Sequence, residues 1–119
     1  MREEPRLTRW PSTRSRPKPE ELEAILRQEG YLPFRMVDPP CTYYHTRSRS
    51  GIEIRWVLEG QLLIGLEDQE IVLSSGDRID LPAGTKHYMR VLSEDGAVYL
   101  LASTSASSPS IRYSPSRGN

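Results

Sequence analysis

The chain is poor in cysteine, histidine and phenylalanine: its 119 residues include one Cys, two His and one Phe. A lone thiol, Cys41, excludes an internal disulfide and suits a reducing compartment. No apolar run approaches the roughly 20 residues that a membrane-spanning helix needs. Residues 1–18 are too polar and Arg-rich for a secretory signal. The expectation is a soluble, cytoplasmic protein with no membrane partner. Net charge is absent too, since 16 Lys and Arg balance 16 Asp and Glu.

That balance hides a segregation. Residues 1–18 carry six basic side chains against Glu3 and Glu4, and residues 103–119 carry Arg112 and Arg117 with no acid. The segment between, 19–102, holds eight basic and fourteen acidic residues, about −6. Basic ends with Trp10 among the arginines could attract nucleic acid or anionic lipid. However, Pro5, Pro11 and Pro17 punctuate one end, while the other is Ser-rich with Pro109 and Pro115. Such compositions do not bury a core. Flexible, solvated tails over 1–18 and 104–119 are expected, and nucleic acid is not the expected partner.

A single domain over 19–103 is what the remaining length can support. Residues 19–29 read as a short amphipathic helix: Pro19 and Glu20 open it, Glu21 and Glu23 favour the positive end of its dipole, Leu22, Ile25 and Leu26 recur at helical spacing, and Gly30 stops it. From Tyr31 onward, short β-branched, aromatic and leucine-rich runs alternate with turn signals. Strands are predicted near 32–37, 42–47, 52–59, 61–66, 69–73, 78–81, 86–92 and 97–103, which makes the fold class all-β, a sandwich or barrel.

The most informative run is Gly76-Asp77 through Pro82, Gly84 and His87. Pro82 and Gly84 suit the second and fourth positions of a type I turn over Leu81–Gly84. On the strand that follows, alternation puts His87, Met89 and Val91 on one face, inward. There, His87 is either a core histidine held by a backbone carbonyl or a ring nitrogen available to a ligand.

These residues resemble the second sequence motif of the cupins, small barrels of the jelly-roll (RmlC-like) type. Upstream, Glu53-Ile54-Arg55-Trp56-Val57-Leu58-Glu59-Gly60 resembles the close of the first motif, fifteen residues away. Glu29-Gly30-Tyr31 is similar to the end of the helix that precedes the barrel in small cupins. The resemblance implies a cupin jelly-roll β-barrel over 31–103 with one short N-terminal helix. It also implies a homodimer, with Leu32 to Val37 a candidate for strand exchange.

In this family the first motif supplies two histidines one residue apart and then a glutamate, and the second motif supplies a third histidine. Together they hold one divalent metal. Glu53 and His87 match, but only His45 is available where two histidines are implied. In one placement His45 is the first ligand and Arg47 replaces the second, which the shared face of Tyr43, His45 and Arg47 and the loop-like Ser48-Arg49-Ser50-Gly51 favour. In the other, Arg47 and Arg49 take both positions and His45 lies outside.

Two functions follow. A metal on His45, Glu53 and His87, with iron, manganese, nickel, zinc or copper all compatible, would suit a dioxygenase- or isomerase-type enzyme acting on a small organic molecule. Alternatively, arginine cannot be a ligand because it stays protonated and offers only donors. Arg47 and Arg55 would then bind an anionic small molecule without metal. Tyr43 and Met89 are further candidates to line the substrate cavity.

Overall fold

The computed structural model describes residues 3–104. Elements run in the order β1 (Arg6–Thr8), α1 (Pro19–Gln28), β2 (Phe34–Asp38), β3 (Tyr43–Arg47), β4 (Glu53–Glu59), β5 (Leu62–Gly65), β6 (Glu70–Leu73), β7 (Arg78–Leu81), β8 (His87–Val91) and β9 (Ala97–Ser103). The strands form two sheets, one ordered β1-β7-β4-β9-β2 and the other β3-β8-β5-β6, with every pairing antiparallel.

The central strand β4 explains the layering. Six of its seven residues are buried, the charged Glu53 and Arg55 among them, because both of its faces are covered. Val57 joins Leu62, Ile64, Leu73, Ile79, Leu81, Met89, Val91, Ala97 and Tyr99 in the core between the sheets. Ile54, Trp56 and Leu58 point the other way and pack with Leu22, Leu26, Leu100 and Ala102 under the helix. The result is helix on sheet on sheet.

Helix α1 ends as its sequence dictates. Gly30 takes φ +97°, Gly30 N–H donates to Arg27 O at 3.0 Å and Tyr31 N–H to Leu26 O at 3.0 Å. This double closure is a Schellman motif, which needs a left-handed residue just past the helix. Leu22 and Leu26, both fully buried, each contribute about 1.5–3 kcal/mol of burial.

The N-terminal segment departs from the solvated tail expected over 1–18. Arg6–Thr8 forms a strand on the edge of β7, and the segment behind it is tied down at the Gly76-Asp77 turn. Asp77 accepts from Trp10 N–H at 2.9 Å and from Arg9 Nη1 at 2.9 Å, Trp10 packs on the second core, and Pro17 is buried. Proline content and basic charge concealed this, because a three-residue strand and one docked indole carry no periodic signal. The expected tail over 104–119 lies, from residue 105 on, outside the described residues. Among the described residues no helix is long and apolar enough to cross a membrane.

Candidate functional site

The turn before β8 sits one residue later than the sequence suggested. Thr85 N–H donates to Pro82 O at 3.2 Å and Gly84 has φ +82°, so the turn is Pro82–Thr85 with glycine third, the type II signature rather than type I. Its consequence is the setting of His87. Thr85 O lies 3.0 Å from His87 Nδ1; because a carbonyl can only accept, Nδ1 carries the proton, and Nε2 is left facing the interior. His87, Met89 and Val91 are all buried, the face that alternation predicts.

Nε2 of His87 lies 3.1 Å from Glu53 Oε1, which is also 3.7 Å from Arg55 Nη1; Glu53 Oε2 is ion-paired with Arg49 Nε at 2.8 Å. The His87 contact is short but misaligned. Neither Glu53 Oε1 nor His87 Nε2 has a hydrogen-bond partner, and the same holds for Nε and Nη1 of the buried Arg55. Burial raises the Glu53 pKa, but His87, Arg55 and Arg49 outweigh it and hold the carboxyl at about 2. Glu53 is therefore an anion at neutral pH.

Strand β3 changes the assignment of its side chains. Tyr44 pairs with Met89 and Arg47 with His87, with a register shift between Tyr44 and Arg47. An extra residue of this kind is a β-bulge, and it reverses the parity of everything beyond it. Arg47 and Tyr44 consequently share the inner face, with the guanidinium 5.9 Å from the Tyr44 ring. Tyr43 and His45 stand outside, their rings 4.9 Å apart and edge to face. The shared face expected for Tyr43, His45 and Arg47 is corrected by that bulge, which no alternation rule can anticipate. Arg47, and not His45, is opposite His87, while Arg49, from the loop after β3, meets Glu53.

The arginines crowd one another. Burial of its head group lowers the Arg47 pKa, as do Arg49 and Arg55, with Glu53 acting in the opposite sense. Deeper in, Asp38 accepts from Tyr99 Oη at 2.7 Å and from Tyr44 Oη at 3.1 Å. The Tyr99 pKa is raised, first by burial and then by Asp38. Sequence reasoning missed Asp38, Tyr44 and Tyr99: Asp38 looked like part of the Asp-Pro-Pro turn, and Tyr44 had the wrong parity until the bulge was seen. Met89 lies in the core against Ile64 and Tyr44.

A divalent metal does not suit this set of groups. A transition-metal site is built from at least three protein donors, whereas Glu53 and His87 supply two, and three guanidiniums stand around them. Among the described residues no group of three or more His, Cys, Asp or Glu is placed to hold an ion. A cavity of about 390 Å³ lined by Arg6, Ile25, Glu29, Tyr31, Trp56 and Arg78 lies on the helix side of β4, away from this cluster.

Residues 34–103 match the Cupin domain family. The chain belongs to the cupins. Solved cupin-like structures share its fold at low identity. KdgF from Halomonas sp. has 23% identity over 61% of this chain and 68% of that one, with TM-score 0.55. An RmlC-like cupin from Shewanella frigidimarina has 14% identity over 65% and 68%, with TM-score 0.57. A chain from the crystal structures of the DMSP lyases RdDddP and RnDddQII has 20% identity over 66% of this cupin and 42% of that chain, with TM-score 0.58. No curated protein matches.

Proposed function

We propose that this cupin binds an anionic small molecule between its two sheets, through Arg55 and Arg47, without a transition metal. The observation that carries this reading is Arg55, buried to 2% exposure with two of its donor nitrogens unpartnered. Buried donors left unpaired cost about 1–3 kcal/mol or more, and a guanidinium fork suits a carboxylate or phosphate bidentately. Arg47 and Arg49 at the rim of the same cluster add attraction.

The strand orders β1-β7-β4-β9-β2 and β3-β8-β5-β6 support reading the two sheets as halves of a jelly-roll barrel, with the cluster at one mouth. A homodimer through the edge strand β2 is part of the proposal, supported by exposed Leu32, Phe34 and Val37. The metal-dependent enzyme reading, with an iron, manganese, nickel, zinc or copper ion on His45, Glu53 and His87, is less well supported, since His45 stands outside.

The test pairs elemental analysis with thermal stabilisation. Purified protein should carry no stoichiometric transition metal, and carboxylates or phosphate should raise Tm because a ligand that binds only the folded state stabilises it. Arg55→Met should abolish that rise. Stoichiometric metal that disappears in His87→Ala would overturn the proposal.

A further inference from the structure

The charge count at the cluster specifies the ligand more narrowly than "anion", given the anion-binding reading above. Three guanidiniums, Arg47, Arg49 and Arg55, converge on a single carboxylate, Glu53. Another inner-face carboxylate, Asp38, accepts from Tyr44 and Tyr99 rather than from an arginine. Counted on Arg47, Arg49, Arg55 and Glu53 alone, the cluster carries two positive charges in excess. On the outer face Asp80 is ion-paired with Arg78 and Glu70 accepts from Tyr88.

We infer that the preferred ligand is a small dianion, a dicarboxylate or a phosphoryl group, rather than a monocarboxylate. One anionic group meets the unpartnered donors of Arg55, and the second charge meets Arg47 and Arg49. Burying a cation without its counter-charge is expensive. A monoanion meets the buried Arg55 alone, whereas a dianion is also attracted by the exposed Arg47 and Arg49. The mouth is also where discrimination between the two should arise, because Arg49 is half-exposed, at 47% of its side chain, and can follow the ligand in.

Isothermal titration of the full chain at pH 8 and fixed ionic strength compares acetate, malonate and inorganic phosphate. Malonate or phosphate should bind at least about tenfold tighter than acetate, and whichever binds tighter identifies the dicarboxylate or phosphoryl class. Arg49→Gln should weaken malonate and phosphate more than acetate and so reduce the dianion preference to about twofold. Arg47→Gln provides the same comparison at a side chain that is not ion-paired to Glu53, in case Arg49→Gln perturbs folding. Acetate binding as tightly as both dianions overturns the dianion inference and leaves anion binding intact. No binding of any of the three overturns both.

Discussion

Asp77→Ala should release the N-terminal segment from the sheet, at a cost that can be worked from three contacts. Asp77 accepts from Ser74 N–H, Trp10 N–H and Arg9 Nη1, each at 2.9 Å. The Arg9 side chain is 56% exposed, so its ion pair is worth less than about 1 kcal/mol. The two backbone donors to a buried carboxylate are worth about 1.5–3 kcal/mol each, and the values do not sum fully. The expected loss is about 3–4 kcal/mol for Asp77→Ala and under about 1 kcal/mol for Arg9→Ala. Gly76→Ala should free Trp10 in the same way, since a Cβ at that glycine, with φ +92°, would collide with the indole. Urea unfolding followed by fluorescence of Trp10 and Trp56 measures the cost, and trypsin cleavage after Arg14 reports release. In a chain lacking residues 1–10, the penalty of Asp77→Ala should shrink to the Ser74 share. Equal costs for Asp77→Ala and Arg9→Ala, or a loss within about 0.5 kcal/mol of zero for the former, would refute the reasoning.

Glu53→Gln tests the electrostatic centre by its pH dependence. The folded-state pKa of about 2 lies below the ordinary 4.5, so the anion's stabilisation is fully present above pH 4.5 and disappears as pH falls through about 2. The stability difference between wild type and Glu53→Gln should shrink over that window by up to about 3 kcal/mol; a pH-independent difference would contradict it. Cys41→Gly should raise stability by about 0.5–1 kcal/mol, since Cys41 holds φ +67° in the turn after Pro40 and a side chain is strained there; thermal melts that show no gain, or an equal gain for Cys41→Ala, would count against this. Tyr99→Phe should cost about 1.5–3 kcal/mol, because it removes a donor from the buried Asp38 carboxylate. Tyr44→Phe, at a half-exposed ring, should cost less, and equal losses in chemical denaturation would argue that Asp38 is hydrated.

Much of the fold was legible because its signals are local. The predicted helix over 19–29 is the observed Pro19–Gln28, and the eight predicted strands coincide, within two residues at each end, with β2 to β9. Proline and glycine fixed the turns, and period-two runs fixed the strands. What escaped was non-local. β1 exists because β7 offers it an edge and Asp77 offers it an anchor, and neither is visible from Arg6-Leu7-Thr8. The site was half legible: Glu53, Arg55 and His87 come together as their motifs and alternation imply, while Tyr43 and His45 do not join them. One bulge between Tyr44 and Arg47 accounts for the difference, since a single extra residue exchanges inner and outer faces without changing composition or hydropathy.

That bulge leads to a reversal of chemistry that can be built deliberately. If Arg47 opposite His87 and Arg49 beside Glu53 are what keep a metal out, then Arg47→His with Arg49→His should admit one. The change removes two fixed positive charges and supplies two imidazoles next to a carboxylate anion and an inward-facing Nε2, giving four donors where there were two. Titration of the double variant with zinc or nickel should show one tightly held ion per chain, and wild type should show none at the same concentrations. Each single variant should bind more weakly, because one guanidinium still opposes the cation and only three donors remain. His45→Ala should leave the double variant unchanged, as expected of a side chain on the outer face. Dependence of that binding on His45 would mean that β3 pairs with β8 in the other register, and failure of the double variant to bind would mean that the two arginines do not stand where ligands could.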